Sequence, residues 1–99
     1  MAEVRPDGVP LVGSWAYLKR DEPGCPTLDE LDRLKEFARQ KDESAFTRYF
    51  TDHCEPGLPA ETKVRVEDFS IWHNALCVRP AGSPENCVWT PENGLEVRP

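Results

Sequence analysis

The sequence predicts an α+β fold in which a small antiparallel sheet is combined with a pair of short helices. From Thr62 to Arg98, polar and apolar residues alternate in short runs separated by turn residues, as in strands with one buried and one solvated face. Between Thr27 and His53, apolar residues recur at spacings of three and four, which is typical of amphipathic helices. Ten prolines and six glycines imply that the elements are short. The 99 residues suit one thin core, so we expect a single domain over residues 1–99.

The first strand is predicted over residues 11–19, which read LVGSWAYLK and are rich in aromatic and β-favouring types. Gly13 inside this run indicates a bulge or a close backbone approach. Residues 1–10 hold two prolines and a glycine, and we expect them to form a loose N-terminal segment. The sheet is therefore expected to consist of residues 11–19 plus 62–98.

A helical hairpin is predicted over residues 27–53. Thr27 and Glu30 stand at the spacing of a capping box, which marks a helix start. Asp42 is a second N-cap candidate, and the second helix is expected to end near His53. Because only a few residues join the two helices, they should pack antiparallel and bring the start of the first close to the end of the second.

The remaining strands follow this hairpin. Val64 and Val66 alternate with charged residues in TKVRVED, and further strands are predicted at 71–79, 86–90 and 95–97. Residues 80–85 form the loop of a β-hairpin, and Asn93-Gly94 turns the chain into the last strand. The elements are thus expected in the order β-α-α-β-β-β-β.

The four cysteines provide a test of this arrangement. Cys25 precedes the first helix and Cys54 follows the second, so a helical hairpin would bring them together. Cys77 and Cys87 lie symmetrically about a loop centred near Gly82, as cross-strand neighbours would. We therefore expect disulfides joining Cys25 with Cys54 and Cys77 with Cys87. Oxidised cysteines would place the protein in a periplasm or outside the cell, whereas free buried thiols would be compatible with the cytoplasm.

Two sharper hypotheses use the cysteines differently. One is a small cytoplasmic zinc protein, but structural zinc sites draw on two close ligand pairs, and only His53-Cys54 and His73-x3-Cys77 approach such spacing. The other is a thiol enzyme with Cys25 at a helix start and His53 as its base. No third group is implied that would orient the histidine of such an enzyme, so we predict no catalytic residue. Because the spacing does not suit zinc, we predict no metal site, and we expect no cofactor.

The charge pattern limits the partners. Twelve basic and eighteen acidic side chains give a formal net charge of -6, and the basic residues are scattered along the chain. Nucleic acid and anionic membrane surfaces both require a basic footprint, so neither is expected as the main partner. No apolar run approaches the ~20 residues of a membrane-spanning helix, so membrane insertion is not expected either. An immunity or inhibitor protein acting through an acidic surface is compatible with the size and charge.

The strand region resembles bacterial SH3-like domains. The T-x-V-x-V strand corresponds to Thr62–Val66, the hairpin surrounds Gly82, and Val88-Trp89-Thr90-Pro91 precedes a turn and the final strand Gly94–Val97. The resemblance covers roughly residues 58–98 and implies a small barrel, completed by residues 11–19, with the helical hairpin inserted after the first strand. It also implies binding of a protein, peptide or cell-wall ligand rather than catalysis. The acidic loop and tyrosine motif of the proline-recognising members are absent, so no binding residue carries over.

Aromatic residues are the remaining candidates for a binding surface. Trp72 and Trp89 fall on different predicted strands, and Tyr17 lies on the first strand. These three are our candidate ligand-binding residues, since an exposed pair of Trp72 and Trp89 would form a platform for a ligand. The alternative is that the tryptophans pack in the core. We therefore expect a non-enzymatic, extracytoplasmic, SH3-like binding module.

Overall fold

The computed structural model describes residues 5–54 and 57–98. Two helices and five strands make up this part of the chain, which is therefore α+β as expected. In chain order they are β1 Trp15–Leu18, α1 Leu28–Arg39, α2 Glu43–Tyr49, β2 Lys63–Ser70, β3 Ala75–Pro80, β4 Val88–Pro91 and β5 Leu95–Glu96. A π-helical turn, Phe50–Cys54, continues α2, and a 3₁₀ turn, Glu92–Gly94, separates β4 from β5.

The strands form one open antiparallel sheet with the spatial order β4-β3-β2-β1-β5. This spatial order differs from the succession β-β-β-β expected from the sequence, because the last strand does not pair with β4. Instead, β5 pairs with β1, through Tyr17 opposite Glu96 and Leu18 opposite Leu95. The 3₁₀ turn redirects the chain after β4 and allows this return. The first strand therefore lies inside the sheet, between β2 and β5.

Two strand boundaries differ from the prediction. The first strand begins at Trp15 rather than residue 11, because Gly13 has a φ of +93° and turns the chain before the strand. The predicted strand 71–79 begins only at Ala75, because β2 continues to Ser70 and leaves 71–74 to form the turn. Asn74 closes that turn with a φ of 50°, a left-handed conformation that asparagine tolerates better than most residues. Alternating hydrophobicity does not show where such a turn begins.

One face of the sheet holds the main core. Alternate residues of each strand point inward, so that β1 to β3 and β5 all contribute buried apolar side chains, joined by Leu58 and Val9. The members of this cluster are Val9, Ala16, Leu18, Leu58, Val64, Val66, Leu76, Val78 and Leu95. We call this the inner face and the opposite one the outer face.

The helices cover the outer face at its β3–β4 end only. Thr27 and Asp42 cap the two helices as predicted, accepting hydrogen bonds from the backbone N–H of Glu30 and of Ala45. The apolar stripes of the two helices pack against Ala75 of β3 and Trp89 of β4 and form a second cluster. Its buried members on the side of the helical hairpin are Leu31, Leu34, Cys25 and Cys54. Within residues 5–54 and 57–98, no helix covers the outer face of β1, β2 and β5.

Part of the N-terminal segment contacts the rest of the domain. The first four residues of the predicted loose segment lie outside the described residues. From Arg5 onward the chain forms a turn, with the N–H of Arg5 donating to the carbonyl of Val9 at 2.7 Å. Val9 joins the main core at 8% exposure, and the Arg5 guanidinium pairs with Glu92 at 3.1 Å. The buried side chain of Val9 anchors this segment to the sheet. The prolines and the glycine of the segment did not indicate this burial.

Glu22 lies against the final turn. Its side chain is only 10% exposed, and Oε2 lies 2.8 Å from the Arg20 Nε. Gly94 makes room for it, since a Cβ at position 94 would stand 2.5 Å from Glu22 Oε2. Burial raises the pKa of the Glu22 carboxyl, and the attraction of Arg20 only partly opposes this.

This raised pKa predicts a pH-dependent effect of Glu22→Gln. A carboxyl whose pKa is higher in the folded state favours folding below its unfolded pKa, and that contribution is lost as the pH rises through the folded pKa. The variant should therefore gain thermal stability relative to the wild type on going from acidic to neutral pH. Thermal unfolding of both proteins across that range measures the difference.

Asp7→Asn provides a control of opposite sign. A hydrogen bond from Arg5 lowers the pKa of the Asp7 carboxyl, so its contribution is present at neutral pH and lost in acid. The Asp7→Asn variant should therefore lose stability relative to the wild type as the pH rises. A difference between Glu22→Gln and the wild type that does not vary with pH would contradict the role given to burial.

Candidate functional site

Trp72 lies in the turn between β2 and β3, not on a strand as predicted. Its side chain is 90% exposed, and its neighbours Ile71 and Phe69 are 62% and 54% exposed. The end of β2 and the turn that follows it thus present three large apolar side chains within four consecutive positions. We call Phe69, Ile71 and Trp72 the hairpin tip. Exposure of this much clustered apolar surface is characteristic of interaction sites rather than of ordinary solvated turns.

The tip is anchored to the helical hairpin by polar contacts of the same turn. The Nζ of Lys35 on α1 donates to the carbonyl oxygen of His73 at 2.6 Å. On the same helix, Asp32 Oδ2 lies 3.1 Å from His73 Nε2, while Ser70 Oγ lies 2.6 Å from His73 Nδ1. Backbone and side chain of His73 are therefore both held, which restrains the turn that presents Ile71 and Trp72. In the sequence, His73 was noted only for its spacing from Cys77.

Ser70, His73 and Asp32 have the order of a hydroxyl, an imidazole and a carboxylate found in nucleophilic triads. No sequence signal indicated this group, because its members come from a strand, a turn and a helix. Catalysis also requires a substrate cleft and donors for the developing oxyanion. The concave surface beside the tip, of about 430 Å³, is lined by Ile71, Asn74 and Glu92 with residues 5–7, and includes none of the three. The contacts of His73 with Asp32 and Ser70 link the turn to α1.

Trp89 and Trp72 do not form a platform. Trp89 is half-buried on β4, where its backbone exchanges two hydrogen bonds with Cys25 at 2.7 and 2.9 Å. Its side chain packs against the helix-covered cluster. Trp89 thus belongs to the contact between sheet and helices, in agreement with the alternative that a tryptophan packs in the core.

Tyr17 lies on the uncovered part of the outer face. Its ring is half-buried and lies 4.5 Å from the guanidinium carbon of Arg98. On the same face, the Trp15 ring is approached by Lys63 Nζ at 4.9 Å and by the Arg65 guanidinium carbon at 5.3 Å from its centroid. The three predicted ligand-binding residues therefore lie in three different places: the tip, the helix contact and the outer face.

The cysteines form the two disulfides expected from the sequence, Cys25 with Cys54 and Cys77 with Cys87. The first joins the start of α1 to the end of α2. The second is not between directly opposed residues, because Cys77 pairs with Trp89 and Cys87 lies two residues earlier, diagonal to Cys77. No cysteine is left as a free thiol. In this state Cys25 and Cys54 have no thiolate to offer a metal or a substrate.

His53 caps the helical hairpin instead of meeting a thiol. Its Nδ1 lies 3.0 Å from Glu30 Oε2, and its ring stacks on Tyr49 at a centroid distance of 4.1 Å. The contact with Glu30 links the end of the second helix to α1, whereas the stacking on Tyr49 is internal to the second helix and its continuation. Across residues 5–54 and 57–98, no group of three or more histidine, cysteine, aspartate and glutamate side chains is placed to hold a metal ion.

In the described part of the chain, neither helix has the length and apolar character needed to cross a bilayer. No protein-family model, no curated protein and no solved structure matches this chain.

Proposed function

We propose that this protein is a non-enzymatic module that binds a protein or peptide through the hairpin tip. The observation that carries the proposal is the 90% exposure of Trp72 beside the exposed Ile71. Tryptophan is the residue type most enriched among those that dominate binding energy, and it acts by inserting into a pocket of the partner. A tip that is apolar yet held by His73 and Lys35 meets a partner with little loss of conformational freedom.

The strand arrangement supports an SH3-like architecture for the module. A three-stranded meander, β2 to β4, is followed by a 3₁₀ turn and a short strand that returns to β1. This is the succession that the resemblance over residues 58–98 implies, with the helical hairpin inserted between β1 and β2. SH3-like modules act by binding proteins, peptides or cell-wall ligands, and the tip suits such a role.

The disulfides support an extracytoplasmic location, in a periplasm or outside the cell. Thiol-disulfide systems of the cytoplasm keep most cysteines reduced, whereas oxidising compartments preserve disulfides. The same disulfides disfavour the alternative of a cytoplasmic thiol or zinc protein using Cys25, Cys54 and His53. An immunity or inhibitor protein that acts through an acidic surface would also bind a protein, but it would leave the exposed tip without a role.

Selection of peptides from a random phage-displayed library on the immobilised, oxidised protein tests this proposal. We expect enriched peptides that share apolar residues and whose affinity falls by about tenfold or more in Trp72→Ala, as for an interface hot spot. Titration calorimetry with synthetic versions of those peptides measures the change. Because Trp72 is exposed, the substitution should leave the thermal stability close to that of the wild type.

Val12→Ala is the matched control. Val12 is a large apolar residue that is 50% exposed, in the turn before β1 rather than at the tip. Its substitution should leave peptide affinity unchanged. Selected peptides that bind Trp72→Ala as tightly as the wild type, or a library that yields no binder, would count against the tip as the binding site.

A further inference from the structure

We propose that the uncovered outer face of β1, β2 and β5 is a second binding surface, which accepts an acidic peptide segment of a partner protein. This inference does not depend on the hairpin tip. It concerns the aromatic and basic residues of this face. Four of them lie on paired strands, and the fifth, which follows β5, contacts Tyr17: Trp15, Tyr17, Lys63, Arg65 and Arg98.

Strand register puts these side chains on one face. Trp15 stands opposite Arg65, and Tyr17 stands opposite Lys63 on one side and Glu96 on the other. Directly paired residues of antiparallel strands share a face, and alternation turns Ala16 and Leu18 into the core on the other side. Since the helices stop over β3 and β4, this part of the outer face remains open to solvent.

Only some of the basic side chains on this surface form ion pairs with carboxylates. Arg98 pairs with Glu61 at 2.6 Å and with Glu96 at 2.8 Å, and Arg79 pairs with Glu67 at 3.0 Å. Lys63 and Arg65 form no ion pair with any carboxylate of the described residues, and both instead face the Trp15 ring. The surface thus holds two cations that are available to a carboxylate, both beside Trp15, which is 40% exposed.

This arrangement suits a short carboxylate-bearing chain better than a nucleic acid. Arginine and lysine donate charge-assisted hydrogen bonds to carboxylates, and the partly exposed side chains of Trp15 and Tyr17 offer apolar contact to the intervening residues. Glu61 and Glu67 flank the two available cations in the sequence, each two positions away on the outer side. A peptide can place one carboxylate between these cations, whereas the closely spaced phosphates of a nucleic acid would also meet the two glutamates. Such a polyanion also needs a more extended basic footprint.

The net charge of -6 does not prevent this contact. At physiological ionic strength, charges farther apart than a Debye length of ~8 Å are largely screened. A carboxylate in contact with Lys63 and Arg65 therefore responds mainly to those two cations and less to acidic side chains that lie farther away than this length. The same reasoning predicts that binding weakens as salt is added, because the contact is solvent-exposed.

Nuclear magnetic resonance titration of the full chain tests the proposal. The probe is a short peptide in which glutamate alternates with alanine, compared with a lysine-alanine peptide and a thymidine oligonucleotide of similar length. We expect the glutamate peptide to shift the indole N–H resonance of Trp15 and the backbone amides of Lys63 and Arg65. The lysine peptide should leave these signals in place.

Charge reversal identifies the residues responsible. The double substitution Lys63→Glu with Arg65→Glu should weaken binding of the glutamate peptide by about tenfold or more. Arg33→Glu with Arg48→Glu, two exposed positions on the helices, changes the net charge by the same amount and should leave the affinity nearly unchanged. Trp72→Ala should also have no effect, which separates this surface from the hairpin tip. Trp15→Ala, with folding checked by thermal unfolding, provides a variant in which the charges are retained and affinity should still fall.

Several results would overturn the proposal. These are an absence of shifts at millimolar peptide, shifts confined to other elements, or equal losses in the two charge-reversal variants. Tighter binding of the oligonucleotide than of the glutamate peptide would assign the surface to nucleic acid instead. Sedimentation of the wild type as a dimer that Lys63→Glu with Arg65→Glu dissociates would assign it to a second copy of this chain.

Discussion

Replacing Cys25 and Cys54 together by alanine is expected to lower the free energy of unfolding by roughly 3.6 kcal/mol, the loop-closure estimate for a bridge of this span. The two cysteines are 29 residues apart in sequence, and their Cα atoms lie 4.3 Å apart in the fold. Both are fully buried in the cluster beneath the helices. Without the bridge, the helical hairpin is held by its caps and by a small set of apolar contacts. Denaturant unfolding followed by circular dichroism measures the loss.

The matched control is replacement of Cys77 and Cys87 by alanine. That bridge spans 10 residues, and the same estimate gives roughly 2.7 kcal/mol. The β3–β4 pairing also remains to hold that loop. Equal stability of the wild type and the Cys25→Ala, Cys54→Ala variant under oxidising conditions would show that the bridge does not stabilise the fold. Mass measurement after thiol alkylation of the native wild type should detect no free thiol.

Leu76→Ala is expected to lower the free energy of unfolding by ~2–5 kcal/mol, the usual cost of truncating a fully buried leucine. Leu76 lies on β3 in the interior of the sheet, is 1% exposed, and stands between Phe69 of β2 and Thr90 of β4. Removing its side chain opens a cavity that rigid neighbouring strands cannot fill. Urea or guanidinium unfolding of the purified variant provides the measurement.

Ile71→Ala is the control for this prediction. Ile71 is only five positions away but is 62% exposed in the turn, so its truncation should change stability by less than ~0.5 kcal/mol. A comparable loss in both variants would mean that the tip packs against the domain and is not free for a partner. A small loss in Leu76→Ala would contradict the assignment of the inner face as the main core.

Local signals predicted the helical hairpin well. Thr27 and Asp42 each accept a backbone hydrogen bond at a helix start, as their residue types and positions indicated. A cap acts within a single turn of chain, and for this reason it can be recognised without knowledge of the tertiary structure. The pairing of Cys25 with Cys54 followed from the same local information, since two helices joined by a short loop bring their outer ends together.

The hairpin of β3 and β4 was predicted less accurately. Symmetry about Gly82 placed Cys77 opposite Cys87, whereas Cys77 pairs with Trp89. Register depends on how many residues the loop takes up, and loop residues do not alternate in a way that reveals this number. The disulfide still forms, because a diagonal neighbour is also within reach of a cysteine side chain.

The fold class, the helix starts, the cysteine partners and the alternation that turns Val64 and Val66 into the core could all be predicted from the order of residues. The exposure of Trp72, the packing of Trp89 against the helices and the return of β5 to β1, which leaves Trp15 and Tyr17 on the outer face, depend on the packing of distant segments. Periodicity shows on which side of a strand a residue lies, because that is a local property. What covers that side depends on where distant segments pack, and the exposed surfaces proposed for binding follow from that packing.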